Sequence, residues 1–170
     1  VAYALQRTGD PRAVEALISL ASVQGSVGVA FAARGLGALG GRSAPEAVDA
    51  LILLLDLERR DTRVIATTIR ALARIDDPRV GEELRQFVLS RELPPTLRLE
   101  ALEALRQRPT PGATELLIEL MADPWPPMRA AALKALATAE PETFMLVLSG
   151  LELDTDWRVR AALADGLVHV

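Results

Sequence analysis

The chain has 170 residues, of which half are apolar but only 4% are aromatic, and its formal net charge is −4. It contains no cysteine and a single histidine, His169, which argues against disulfides and catalytic triads, so we expect no metal site, no cofactor and no enzymatic activity. The negative charge argues against a nucleic-acid binder. Because we find no apolar run of bilayer length and no signal peptide, we expect a cytoplasmic protein.

Prolines mark the beginnings of one set of predicted helices. Each is followed six positions later by an apolar residue, and an oxygen-bearing residue precedes three of them. Proline suits the first helical position because the N–H it lacks would be unpaired there. The prolines recur 30 to 34 residues apart, at Pro11, Pro45, Pro78, Pro111 and Pro141. They predict helices, called A helices here, near residues 11–23, 45–57, 78–90, 111–122 and 141–151.

A second set of predicted helices carries a small residue followed by leucine near its C-terminal end. Apolar residues stand eight and three positions before most of these leucines, which is the spacing of a buried stripe on a helix. The leucines are Leu5, Leu39, Leu72, Leu105, Leu136 and Leu167. We therefore predict B helices near residues 27–39, 62–75, 95–107, 127–138 and 157–169, with residues 1–7 as the end of an earlier one.

Each A helix with its B helix forms one repeat. A single helix pair cannot bury its apolar face alone, so the pairs must stack on one another. We predict an all-α fold, an α-solenoid of about five stacked helix-pair repeats of 30–34 residues. It forms a single domain over residues 1–170, with repeats near 10–41, 44–75, 77–108, 110–139 and 140–170 and a remnant at 1–9.

An acid precedes an arginine by six residues in the last three repeats, which predicts a ladder between neighbouring repeats. The acid falls in the bend between the A and B helices, and the arginine falls in the first turn of helix B. Such an acid can accept N–H groups of the helix start and also face an arginine of its own or the adjacent repeat. The pairs are Glu92 and Arg98, Asp123 and Arg129, and Asp154 and Arg160.

The first two repeats lack this ladder. Their acid positions hold Ser26 and Arg59, and their arginine positions hold Ala32 and Ile65. We therefore expect apolar packing alone to hold the N-terminal half.

Three stretches resemble HEAT-type helical repeats, especially the short variety named after phycobilisome lyases. They are GDPRAVEALISL at 9–20, IDDPRVGEEL at 75–84 and DTDWRVRAALADGL at 154–167. The proline after the turn, the bend acid and the helix-B arginine are that family's signature positions. The resemblance covers nearly the whole chain and implies a curved solenoid whose B helices line the concave side, where partners commonly dock.

We predict that this inner surface makes the protein a non-catalytic interaction scaffold. Arginine forks suit carboxylates, so the partner is expected to be a protein or peptide segment, possibly acidic. The candidate partner-binding residues are Arg34, Arg63, Arg70, Arg74, Glu103 and Lys134. The alternative interpretation is a merely solvated helix face.

Two other functions come from relatives of the resembling family. One is a phycobilin lyase-like or other enzyme-associated subunit, although the absence of cysteine and the few aromatic residues give a tetrapyrrole little to stack upon. The other is a HEAT-like DNA glycosylase or DNA-binding protein, which needs a strongly basic groove that a net charge of −4 disfavours. Residues 1–5 and 166–170 are apolar, so we also expect end-to-end self-association or a longer parent chain.

Overall fold

The computed structural model describes residues 1–8, 10–22, 25–39, 45–55, 61–107 and 111–168. All regular secondary structure in these ranges is helical, which confirms the predicted all-α class. The chain divides into two compact units, Val1–Arg108 and Pro109–Val170, called unit 1 and unit 2 here. Within each unit, helix pairs stack in the manner of an α-solenoid, whereas a single domain over residues 1–170 stays a prediction.

Unit 1 consists of two helix layers. Its A helices are α2 (Val14–Ala21), which follows a 3-10 turn at Pro11–Ala13, α4 (Pro45–Leu53) and α6 (Pro78–Leu89). Its B helices are α1 (Ala2–Thr8), α3 (Ser26–Leu39), α5 (Thr62–Leu72) and α7 (Pro95–Arg106). Neighbouring B helices pack on one another in order, and so do the A helices. Each helix pair of unit 1 is therefore packed against the helix pair that follows it.

Unit 2 repeats the pattern with four helices among its described residues. The A helices are α8 (Ala113–Leu120) and α10 (Pro141–Leu148), and the B helices are α9 (Pro126–Ala139) and α11 (Trp157–Leu167). Helices α8, α10 and α11 all pack against α9. Helix α9 is thus the centre of this unit.

The predicted helix starts agree with the structure except at Pro11, where a 3-10 turn precedes α2, and at Pro111. Pro45, Pro78 and Pro141 are each the first residue of a helix. Pro111 instead lies in a turn, and α8 begins at Ala113 because Gly112 has φ +73°, a left-handed conformation that interrupts the helix. The sequence interpretations that involve Arg59, Thr110 and His169 lie outside the described residues.

The apolar stripes of both helix sets meet in the core. The residues six positions after the first three prolines, Leu17, Leu51 and Leu84, have no exposed surface. The repeat leucines near the ends of α3, α5, α7 and α9 are also buried, as the repeat pattern predicts. Leu5 of α1 is half-buried, and Leu167 at the end of α11 has 49% of its surface exposed. Stacked helix pairs therefore account for most of the core.

Gly37 marks a close approach of two B helices in unit 1. A Cβ atom on Gly37 of α3 would lie 2.6 Å from both Cα and Cβ of Ala71 in α5, and 2.8 Å from the Ala71 carbonyl oxygen. Real Cβ atoms do not come this close to backbone, so only glycine fits here without a helix shift. The absence of a side chain at Gly37 thus allows α3 and α5 to pack this closely.

We expect Gly37→Ala to lower the free energy of unfolding by about 1–3 kcal/mol, because α3 and α5 must move apart. The matched control is Gly28→Ala in the same helix, where a Cβ meets nothing within 4 Å. That change should raise stability by about 0.5–1 kcal/mol, because alanine favours the helix interior. Urea unfolding followed by circular dichroism measures both, and equal effects of the two variants would contradict the close approach.

None of the described helices is both long and apolar enough to span a membrane.

Candidate partner-binding surface

Four predicted arginines lie on the B helices of unit 1 and are exposed. Arg34 is on α3, Arg63 and Arg70 are on α5, and Arg74 follows the end of α5. We call these four residues the arginine face. By helical spacing Thr67 shares a face of α5 with Arg63 and Arg70, but Thr67 is buried and its hydroxyl donates to the Arg63 carbonyl oxygen at 2.8 Å. Its small side chain can satisfy the hydroxyl within its own helix.

One of the four arginines is already paired within the protein. Nε and one terminal nitrogen of Arg70 donate to the two carboxylate oxygens of Glu100 in α7, at 2.9 and 2.8 Å. The pair is largely exposed, and such pairs contribute only about 0.2–1 kcal/mol. Arg70 therefore joins neighbouring repeats, and a partner carboxylate has to compete with Glu100 for it.

An aromatic cluster adjoins the arginine face at α1 and α3. The rings of Tyr3 and Phe31 meet edge to face with centroids 5.5 Å apart, and the guanidinium carbon of Arg34 lies 5.5 Å from the Phe31 ring centroid. Tyr3 is exposed and Phe31 is half-buried. The cation–π contact holds Arg34 at the surface while leaving its N–H donors available.

Arg63 and Arg74 have the greatest freedom to bind a partner. Within the described part of the chain, neither guanidinium group donates a hydrogen bond or forms an ion pair. Sequence reasoning missed Arg7, an exposed residue of α1 at the position that Arg74 holds relative to its own repeat leucine. The same two-residue offset from Leu5 is the signal that could have found it.

The two remaining predicted partner-binding residues form intramolecular ion pairs. Glu103 accepts from Nε of Arg106 at 3.0 Å within α7 of unit 1. In unit 2, the Lys134 ammonium lies 2.8 Å from a carboxylate oxygen of Asp165. That second pair borders a cavity of about 310 Å³ between α9 and α11, which is lined by Lys134, Thr138, Asp165, Gly166 and Val168.

The predicted ladder has its clearest geometry at Arg129 in unit 2. Nε and one terminal nitrogen of Arg129 donate to the two carboxylate oxygens of Asp154, at 2.7 and 2.8 Å. The other terminal nitrogen donates to the Asp123 carbonyl oxygen at 2.8 Å. The Asp154 carboxylate also accepts from the Asp156 N–H at 2.8 Å. One arginine thus joins its own bend to the bend of the next repeat.

These contacts change the ionisation of Asp154. Its pKa lies below the ordinary value, chiefly because its carboxylate accepts the hydrogen bonds of Arg129, and the Asp156 N–H adds to the effect. Side-chain exposure is only 16% for Arg129 and 18% for Asp154, so solvent screens the pair weakly. Each bend acid was predicted to face an arginine of its own or the adjacent repeat. Asp154 faces Arg129, the arginine of the preceding repeat.

The other ladder residues have different surroundings. Arg98 is 3% exposed and its Nε donates to the Val88 carbonyl oxygen at 2.6 Å. Asp123 is also buried, and its carboxylate accepts from the Trp125 N–H at 2.9 Å. Glu92 is exposed and forms no ion pair with described residues. The bend acid therefore acts as a helix-start acceptor at Asp123 and Asp154 but not at Glu92.

The expectation that apolar packing alone holds the N-terminal half is wrong. The pKa of Asp61, which precedes α5, is lowered, chiefly by the Ser26 side chain at the start of α3, and the Val64 N–H also donates to its carboxylate at 2.9 Å. Arg79 donates to Asp77 within its own repeat and to Asp49 on α4 at 2.6 Å. Polar contacts therefore add to apolar packing in this part of unit 1.

Metal binding finds no support among the described residues, where no three His, Cys, Asp or Glu side chains gather in a way that could hold an ion.

Comparison with known proteins places both halves of the sequence among helical-repeat families. The family model for HEAT repeats matches residues 88–168. The model for the PBS lyase HEAT-like repeat matches residues 1–22 and 30–56. No curated protein matches the sequence.

Solved structures with a similar fold include a chain in the complex of CpcE and CpcF of phycocyanin lyase from Nostoc sp. PCC7120, with a TM-score of 0.64. The two sequences are 24% identical, and the match covers 93% of this chain and 99% of that chain. At this identity the similarity establishes the fold.

Proposed function

Because this chain belongs to the HEAT-like repeat proteins of the phycobilisome-lyase type, we propose that it is a non-catalytic protein that binds an acidic, extended segment of a protein partner. The arginine face is the binding surface. The observation that carries the proposal is the exposure of Arg63 and Arg74, whose guanidinium groups form no hydrogen-bonded ion pair with the described residues. A buried or paired arginine would have fewer N–H donors available for a partner's carboxylate.

The chemistry of the face favours carboxylates. Arginine presents a planar fork of N–H donors that matches a carboxylate in two-point contact. Each exposed pair contributes about 0.2–1 kcal/mol, so useful affinity requires several pairs at once. Arg34, Arg63 and Arg74 lie on adjacent B helices of one unit, so an extended chain can contact them in succession. Tyr3 and Phe31 add apolar surface at one end.

We expect Arg63→Glu combined with Arg74→Glu to weaken binding of a fluorescein-labelled deca-glutamate peptide about tenfold or more, because two attractions become repulsions. Fluorescence anisotropy at low salt measures the affinity. Arg91→Glu is the matched control, since Arg91 is an exposed arginine in the turn between α6 and α7 rather than on the arginine face. It should change the affinity less than about twofold. Equal losses in the two proteins would contradict the assignment.

A second candidate is an enzyme-associated subunit related to the bilin lyases. The PBS lyase HEAT-like repeat match and the fold shared with a chain of the phycocyanin lyase complex support it. The chain has no cysteine, and its aromatic residues are few. Absorbance titration with a free bilin separates the two functions: a red-shifted, saturable spectrum that survives Arg63→Glu and Arg74→Glu would favour the lyase-like role.

A further inference from the structure

The charge on the B helices of unit 1 reverses at α7. Arg34 of α3 and Glu100 of α7 each lie five residues before their repeat leucine. Likewise, Arg70 of α5 and Glu103 of α7 each lie two residues before theirs. Because α3 packs between α1 and α5, and α5 packs between α3 and α7, the reversal lies within the stack of helices. Two positions of the arginine face are therefore acidic in α7.

The ion pair at this reversal limits what a wholly acidic partner can gain. Nε and one terminal nitrogen of Arg70 already donate to both carboxylate oxygens of Glu100, at 2.9 and 2.8 Å. A partner carboxylate that binds Arg70 displaces Glu100 and leaves it unpaired beside the partner's negative charge, which repels it. The Glu100 side chain is only 37% exposed, so water replaces the lost hydrogen bonds incompletely. At Arg70 such a partner merely exchanges one ion pair for another.

Building on the function proposed above, we propose that the partner segment carries a lysine or arginine beyond its acidic residues, and that this basic residue binds Glu100. An acidic residue of the partner then pairs with Arg70 while the basic residue pairs with Glu100. Two intermolecular ion pairs replace one internal pair, and neither charge stays unpaired. Glu103 keeps its own partner, because Arg106 lies outside the arginine face and donates to the Glu103 carboxylate at 3.0 and 3.3 Å.

The spacing of the helices sets the spacing of these residues in the partner. Packed helices lie roughly 8–10 Å apart. An extended polyproline II chain advances about 9 Å every three residues, and every third side chain points the same way. A segment that crosses α3, α5 and α7 therefore offers one residue to each helix. Its acids bind Arg34 and Arg70, and a basic residue three positions further along, in either chain direction, binds Glu100.

Fluorescence anisotropy at low salt tests this contact with fluorescein-labelled peptides. One peptide has six glutamates, two glycines and a lysine, a second has the reverse order, and each has a counterpart with glutamine instead of lysine. We expect at least one lysine peptide to bind about two- to fivefold more tightly than its counterpart, the gain from one exposed ion pair. The lysine peptide has the smaller negative charge, so general attraction to the arginines predicts the opposite order.

Glu100→Gln should abolish this preference for lysine. The matched control is Glu92→Gln, which removes the same charge from an exposed residue in the turn between α6 and α7 and should preserve the preference. Glu103→Gln should preserve it as well. The inference is overturned if no lysine peptide binds more tightly, if the preference survives Glu100→Gln, or if either of the other two variants abolishes it.

The same peptides separate this inference from the proposed function. The proposed function fails if Arg63→Glu combined with Arg74→Glu leaves binding of the glutamine peptides unchanged, or if no peptide binds, and the contact with Glu100 is then overturned with it. If that double variant weakens binding but lysine brings no gain in the unaltered protein, the arginine face stands and only the basic residue of the partner is refuted.

Discussion

Replacing Phe144 with alanine is expected to lower the free energy of unfolding by about 3–5 kcal/mol, the largest effect we expect from a single substitution in this chain. Phe144 of α10 has no exposed surface. Its ring lies close to α11, since a Cβ added to Gly166 would be 2.7 Å from its Cζ atom and 3.0 Å from Cβ of Ala137 in α9. The alanine variant leaves a cavity where three helices of unit 2 meet.

Urea unfolding with fitted m-values measures the loss, and Met145→Ala is the matched control on the adjacent residue of α10. Met145 is 46% exposed, so its truncation should cost less than about 1 kcal/mol. Comparable losses at the two positions would show that Phe144 does not hold α10 in place. A further check is Gly166→Ala, which should destabilise wild-type protein but much less the Phe144→Leu variant, whose shorter side chain leaves room.

The second large effect is expected at the ladder. Arg129→Met should lower the free energy of unfolding by about 3 kcal/mol, because it leaves the partly buried Asp154 carboxylate without its cation and two bend carbonyl groups without a donor. Lys134→Met is the control in the same helix. Lys134 pairs with Asp165 at the surface, so its loss should cost at most about 1 kcal/mol. A similar cost for both would mean that the ladder does not stabilise unit 2.

The ladder also predicts a dependence on pH. The pKa of Asp154 is lowered in the folded protein, so the stabilisation is complete above the unfolded value of about 4 and is lost as pH falls through the folded pKa. Arg129→Met should therefore flatten the loss of stability below about pH 4. Thermal unfolding between pH 2 and pH 7 measures this difference, and parallel curves for wild type and variant would contradict it.

The spacing of a few residues was sufficient to predict the fold. The proline at a helix start and the leucine near a helix end have roles that are set by contacts within one repeat. Because each repeat makes the same contacts, the same residue types recur at the same spacing. Gly112 illustrates where this logic fails, because a single residue in a left-handed conformation delayed α8 by two positions. Its conformation depends on local backbone geometry rather than on the period of the repeat.

The candidate site could be predicted less completely. Helix periodicity correctly placed four arginines at the surface: Arg34, Arg63, Arg70 and Arg74. It could not show that Arg70 forms a salt bridge with Glu100, because that pair depends on the packing of α5 against α7. The influence of Ser26 on the pKa of Asp61 was missed for a similar reason. Ser26 stands where later repeats have the bend acid, and it was therefore interpreted as the absence of the ladder. In the structure, the carboxylate near Ser26 is that of Asp61 in the following repeat.

The central position of α9 decides the order in which unit 2 comes apart. Helices α8, α10 and α11 each rest on α9, so any one of them can detach while the other two still shield it. Transient local opening therefore starts at the periphery, and the backbone amides of α9 become accessible to solvent last. A fragment that keeps α9 with two of its three neighbours should consequently retain most of the cooperativity of the unit.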